Sequence, residues 1–358
     1  MVYEIMHREN CVAQISTVGE CKIYLEDFMP YDLMLEESND FDKRIKNAMS
    51  FYSWCASRMI PPDRTYAKEI LNSIGASQSV TDRDRAQIAL SYHCLSLLDV
   101  FWVKEENEKI RFEDINLFAH SLSNALVDIA LRGHQMTVTN AHLLANDLST
   151  GGLYPKAWVR KEDGFYLYKD GGRDAVEREV LASKICRCFD CHQVLYEQGM
   201  FENEPVSISK IMTSQRYSLV TYAAYDVYCT NHDWNTLDKI LELDAPSYYM
   251  MNILDYLVGN TDRHWENWGL LVDNETNQPI RLHDLMDFNR AFQQYDTPEG
   301  ANCLTVGKRH LSQKDAAVEA VRNIGLNQVR QVEHAVFSGH PAWKATFEER
   351  LRVLRNAM

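Results

Sequence analysis

The chain has 358 residues, of which 46% are hydrophobic and 25% charged, and 37 Lys plus Arg face 51 Asp plus Glu for a net charge of −14. This composition excludes a disordered chain, a collagen-like repeat and a small disulfide scaffold, and the length exceeds what one core usually organises, so two or three subdomains are expected. The acidic balance, with no dense basic run, argues against a surface that neutralises nucleic-acid phosphates.

Residues 1–35 read as short strands and turns, with strand character at 11–15 and 21–25. From about residue 41, Ile45, Met49, Tyr52, Cys55 and Met59 recur at helical spacing until Pro61-Pro62 stops the helix. A short helix over 63–73 ends at Gly75. Thr81 and Asp84 form a capping-box pattern for a helix whose apolar face is Leu90, Cys94, Leu97, Leu98 and Phe101, and another helix is expected over 114–131. Residues 1–147 therefore read as a mainly helical N-terminal region with a short strand lead-in.

The texture changes near residue 148. A loop through Gly151-Gly152 precedes a strand at 157–160, a turn at Asp163-Gly164 and a returning strand at 165–169. A helix over 174–188 and strands near 206–213 complete a small lobe, 148–215. Residues 216–358 read as a helical lobe interrupted by a polar loop at 259–269 and a hairpin, 270–272 with 279–282. The most apolar stretch, 248–258, is interrupted by Asn252 and Asp255 and is too short to span a bilayer. No signal-peptide pattern opens the chain, and the nine irregularly spaced cysteines read as reduced thiols, so a cytoplasmic protein without a membrane partner is expected.

The loop Gly259-Asn260-Thr261-Asp262-Arg263-His264-Trp265-Glu266-Asn267 carries a carboxylate and a carboxamide five residues apart, and the hairpin after it delivers Asp287 in Asp287-Phe288-Asn289. Phosphoryl transfer from ATP needs such a set: one Asp to accept the proton of the attacking hydroxyl, an Asn and a second Asp to hold Mg²⁺ through hard oxygens. The step from Asp262 to Asn267 equals that of the protein-kinase catalytic loop, and Asp287 stands where the D-F-G aspartate would, with Asn289 in place of the Gly. Upstream, Lys169 shares a strand face with Phe165 and Leu167, and an inward lysine must find an anion. Phosphate together with Glu177 or Glu179 on the next helix would serve. Gly151-Gly152, with Lys156 nearby, lets backbone approach phosphates. Asp284 competes with Asp287 for the metal role. The run Cys186-Arg187-Cys188-Phe189-Asp190-Cys191-His192 looks metal-like, but only Cys188, Cys191 and His192 share a helix face, so it reads as a helix end with buried thiols.

The block 259–267 with Asp287-Phe288-Asn289-Arg290-Ala291-Phe292 resembles the HipA-like serine/threonine kinases of bacteria. Thr150-Gly151-Gly152-Leu153-Tyr154-Pro155-Lys156 is similar to that family's loop S/T-x-G-x-x-P-K, and Glu179-Val180-Leu181-Ala182-Ser183 matches its E-x-x-A-S pattern, which favours Glu179 as the lysine partner. The resemblance covers about 148–300. It implies an α+β, bilobal protein-kinase-like fold, ATP and Mg²⁺ as cofactors, and transfer of the γ-phosphoryl group to a protein Ser or Thr. It also implies Asp262 as base, Lys169 on the phosphates, Asn267 and Asp287 on the metal, and autophosphorylation at Thr150 and less directly Ser149. A protein substrate is the implied partner, with room for a cognate antitoxin or regulator and none for nucleic acid. The Asp-Arg-His-x-x-Asn signature is shared with phosphatidylinositol kinases, so a lipid or small-molecule kinase is the alternative enzyme. A non-catalytic nucleotide-binding module is the alternative outside enzymes.

Overall fold

The computed structural model describes residues 1–59, 81–120, 156–169, 171–201, 203–293 and 297–358, without the side chains of 156 and 157. It divides into two compact units. The first comprises Met1–Arg160, Thr213–Ser218 and Asp273–Gln278; the second comprises Lys161–Met212, Leu219–Val272 and Pro279–Met358.

In the first unit, β1 (Val2–His7), β2 (Asn10–Ser16), β3 (Cys21–Ile23) and β4 (Phe101–Glu105) form an antiparallel sheet in the order β3-β2-β1-β4. A register shift after Ile5 in β1 marks a bulge against β2. The apolar residues Ile5, Val12, Ala13, Ile15 and Trp102 are buried, and α1 (Phe41–Ser57) buries Phe51, Trp54 and Cys55. Asp40 caps α1 by accepting from the Lys43 N–H, and Thr81 and Asp84 close a full capping box on α2 (Asp82–Ser91). Arg58, at the end of α1, holds Asp99 in a bidentate pair at 2.7 and 2.8 Å.

Two expectations change here. The helix opened by Thr81 stops at Ser91, because His93 and Cys94 adopt left-handed backbone (φ 58° and 54°). Phe101 therefore begins a strand instead of closing a helical face. The run Phe101-Trp102-Val103 is buried throughout and pairs with β1, which otherwise would carry an open edge. Of the helix expected over 114–131, only a single turn, Phe112–Ile115, lies in the described residues up to 120. The helix expected over 63–73 lies outside them. Thr213–Ser218 and Asp273–Gln278 are tied into this unit by buried polar groups: Asn277 Nδ2 donates to the Asp27 and Met29 carbonyls, and Tyr31 Oη donates to Asn277 O at 2.7 Å.

The strand β5 (Lys156–Lys161) leads through a two-residue turn into β6 (Gly164–Lys169), which belongs to the second unit. β6, β8 (Glu204–Lys210) and β7 (Tyr196–Phe201) run antiparallel in the order β6-β8-β7, and α3 (Arg173–Cys186) packs on β7 and β8. β7 has no counterpart in the sequence reading, since its exposed positions are Glu197, Gln198, Met200 and Phe201 and its sequence lacks strong alternation. β9 (Tyr217–Thr221), α4 (Tyr222–Asn231) and α5 (Thr236–Val258) follow, and β9 is again a strand inside a stretch expected to be helical. α5 kinks at Asp244 (φ −156°), two residues before Pro246. Its last turns, from Met250 to Val258, are buried. The hairpin β10 (Gly269–Asp273) and β11 (Gln278–Leu282) pairs with β9, and α6 (Gln313–Ile324) and α7 (Pro341–Ala357) pack on α5. Among the described residues no helix is long and apolar enough to cross a membrane.

Candidate active site

Lys169 ends β6 on the face that buries Phe165, and only 8% of it is exposed. Its Nζ lies 2.9 Å from Glu179 Oε1 and 3.1 Å from Asp287 Oδ1. Burial alone would depress this ammonium, but the Asp287 and Glu179 carboxylates outweigh it and hold the lysine well above its ordinary value. Glu179 comes from the buried face of α3, and its other oxygen accepts from Ser207, the residue directly opposite Lys169 in the β6–β8 register. Glu177 instead meets His340 at 3.4 Å near the surface. The structure thus separates the two glutamates and brings only Glu179 to the lysine.

Asp287 is reached through a second route. The chain before it is pinned beside β7, where Val194 N–H donates to Leu285 O and Leu285 N–H to His192 O. Asp287 itself has left-handed backbone, φ 63°, which a non-glycine residue adopts only when its surroundings hold it there. Its N–H donates to Tyr196 Oη at 3.1 Å, and its carbonyl accepts from Asn260 Nδ2. The buried Tyr196 ring lies 5.1 Å from Lys169 Nζ, and burial raises the phenol so that it stays neutral. Asp284 is engaged elsewhere, 2.8 Å from Arg281.

The loop 259–267 begins where α5 ends. Gly259 caps α5 in the left-handed region (φ 61°), and a Cβ there would come within 2.7 Å of the buried Arg350 guanidinium. Arg263 is 4% exposed and grips Asp255 with two bonds of 2.8 and 2.9 Å. Its third nitrogen donates to the carbonyls of Asn267 at 2.9 Å and Met286 at 2.5 Å. One side chain therefore fastens α5, the loop and the segment leading to Asp287. Asp262 is half-buried, and its backbone carbonyl accepts from His264 N–H at 2.8 Å and from Asn267 Nδ2. Burial raises the Asp262 carboxyl; Arg290, 3.5 Å away, and His264 pull it down, while Asp287 pushes it up again. His264 braces the loop, its Nδ1 accepting from Glu266 N–H.

Asn267 supplies the clearest sign of a missing partner. Because its Nδ2 donates to a carbonyl, the amide orientation leaves Oδ1 as the free acceptor, and that atom is buried without a hydrogen bond among the described residues. Amide and carboxylate oxygens are the hard donors that suit Mg²⁺. Asn267 and Asp287 fit that ion. Thr150, Gly151 and Gly152, with Ser149, lie outside the described residues, as does the side chain of Lys156, which opens β5. The cysteine run bonds to backbone carbonyls: Cys188 donates to those of Lys184 and Gln331, and Cys191 to that of Cys186. Sequence reasoning missed Tyr196, Ser207 and Arg290. Arg290 was visible as part of the motif block, whereas a tyrosine and a serine on strands carry no local signature.

No family model and no curated protein matches the chain. Among solved structures, HipA of Shewanella oneidensis MR-1, determined with HipB and its operator DNA, is similar at 11% identity over 99% of this chain and 89% of that one, with a TM-score of 0.50. The proinflammatory kinase CtkA of Helicobacter pylori is similar at 14% identity over 58% of this chain and 92% of that one, with a TM-score of 0.47. The likeness to HipA shows that this chain has an α+β, HipA-like kinase fold.

Proposed function

We propose that the protein is a HipA-like, ATP- and Mg²⁺-dependent kinase that phosphorylates Ser or Thr hydroxyls of a protein. The observation that carries this reading is the bridging of Glu179 and Asp287 by one buried lysine, in the same unit as a half-buried aspartate with a raised carboxyl. A structural ion pair would need one carboxylate, not two from distant parts of the chain. The second carboxylate becomes intelligible if phosphate oxygens share the ammonium and Asp287 turns part of its charge to a metal ion.

In this mechanism the acceptor hydroxyl attacks Pγ, a new O–P bond forms, the bond from Pγ to the β-bridging oxygen breaks, and ADP leaves with that electron pair. Asp262 takes the hydroxyl proton; burial raises its carboxyl, which makes it a better proton acceptor than an ordinary surface aspartate. Lys169, fixed by Glu179, orients the phosphates. Asn267 Oδ1 and the Asp287 carboxylate would hold Mg²⁺, which supplies neutralisation of phosphate charge. Arg290, beside Asp262, adds positive charge near the transferred group.

Autophosphorylation at Thr150 or Ser149 belongs to the same proposal, as does a regulatory partner of the antitoxin kind, by analogy with HipA and HipB. The test is incubation of the host proteome with radiolabelled ATP, comparing wild type with Asp262→Ala. Labelled protein bands present only with wild type are expected. Label confined to the lipid fraction would overturn protein specificity, and label unchanged in Asp262→Ala would overturn the assignment of the base.

A further inference from the structure

A groove of about 380 Å³ opens beside the catalytic loop within the second unit. His264 and Trp265 line it from the loop, and Leu304, Arg309, His310 and Leu311 line it from the segment before α6. Trp265 is 49% and Leu304 50% exposed, so two large apolar side chains meet water at the groove. They are not loose. Trp265 Nε1–H reaches the Leu304 carbonyl at 3.4 Å, and its ring rests 5.7 Å from that of Tyr222. A braced indole at the surface is a preformed apolar anchor for a partner.

Charge supplies the second observation. The protein carries a net charge of −14, yet Arg309 and His310 line this groove and Lys308 precedes them in the chain. Arg309 is held by Glu319, at 2.8 and 3.0 Å. Lys308 and His310 are exposed and form no ion pair among the described residues. No carboxylate lines the groove among those residues. Position supplies the third, since His264 is two residues from Asp262 and its N–H donates to the Asp262 carbonyl.

We propose that this groove docks the acceptor polypeptide: an acidic segment that lays an apolar side chain on Trp265 and Leu304 and so delivers its neighbouring Ser or Thr toward Asp262. The proposal rests on the kinase reading and adds a substrate class to it. Complementary charge steers and orients such a segment, and the apolar pair fixes its register.

The test uses the full chain with two synthetic serine peptides, one with Asp and Glu flanking a Leu-Ser pair, the other with Lys and Arg in those places. Phosphate incorporation and ADP release are both read. The acidic peptide should be phosphorylated with a kcat/KM about tenfold or more above the basic one. In the Lys308→Glu/His310→Glu variant the preference should vanish through a higher KM for the acidic peptide, while KM for ATP stays as in wild type. Leu304→Asp should raise KM for the acidic peptide as well. Equal use of the two peptides, or a preference that survives the double charge reversal, would overturn the groove assignment while leaving the kinase intact. Absence of any Asp262-dependent ADP release would instead remove the kinase reading, and the groove proposal with it.

Discussion

Arg263→Met perturbs the side chain on which the arrangement of the loop depends. The guanidinium makes two bonds to Asp255 and one each to the carbonyls of Asn267 and Met286, all in a region from which water is excluded. Methionine fills similar volume but leaves Asp255 with Asn260 Nδ2 as its remaining side-chain donor, at 3.0 Å. Removing one member of a buried, bidentate pair costs about 3–5 kcal/mol, because the other charge stays buried. At about 2–4 °C per kcal/mol for a unit of this size, the melting temperature of the second unit should fall by about 6–20 °C in calorimetry. Adding Asp255→Leu should recover most of that loss, since replacing both partners removes the stranded charge. Phosphoryl transfer should stay impaired in the double variant, because the Asn267 and Met286 carbonyls still lack their tether. A shift below about 2 °C in Arg263→Met, less than 1 kcal/mol on the same scale, would refute the account of Arg263 as the fastener.

Asp262→Asn should abolish transfer yet leave the protein at least as stable as wild type near pH 7 by urea midpoint. A raised carboxyl stabilises the fold at low pH and loses that contribution as pH climbs through its folded value. For the same reason the wild-type rate should rise with pH through an apparent value above the ordinary aspartate's; a limb at or below that value would contradict Asp262 as base. Tyr196→Phe deprives the Asp287 N–H of its acceptor and should cost about 1–2 kcal/mol of stability. It should also raise the Mg²⁺ concentration needed for half-maximal rate, with KM for acceptor unchanged; an unaltered Mg²⁺ titration would limit Tyr196 to packing. His7 and His283 are both lowered to about 4 by burial, and the Nε2 atom of each is buried without a hydrogen bond among the described residues. Their neutral forms stabilise the fold above the unfolded value near 6.5, and that stability is lost as pH falls toward 4. A His7→Phe/His283→Phe variant should therefore lose less stability than wild type between pH 7 and 4.5.

The sequence was legible where local chemistry and local structure coincide. Thr81 with Asp84 is a cap that reads directly from residue type. Lys169 was visible because period-two alternation placed it with Phe165 on the inward face. The loop 259–267 was visible because residue types and spacing alone define it. What stayed hidden depends on partners far along the chain. Phe101-Trp102-Val103 is equally good as a buried helix turn or strand until β1 offers an edge to pair with. Tyr196 and Ser207 are ordinary strand residues, and their roles exist only because β7 and β8 bring them to Lys169. Arg263 read as one letter of a motif, while its structural work depends on Asp255, which looked like an interruption of an apolar helix.

The most direct test is diffraction from crystals grown with a non-hydrolysable ATP analogue and Mn²⁺ in place of Mg²⁺. Anomalous scattering should place the ion within about 2.2 Å of both Asn267 Oδ1 and an Asp287 oxygen, with the analogue's phosphates on Lys169. Nucleotide or metal bound away from these three side chains would contradict their assignment to a phosphoryl-transfer site.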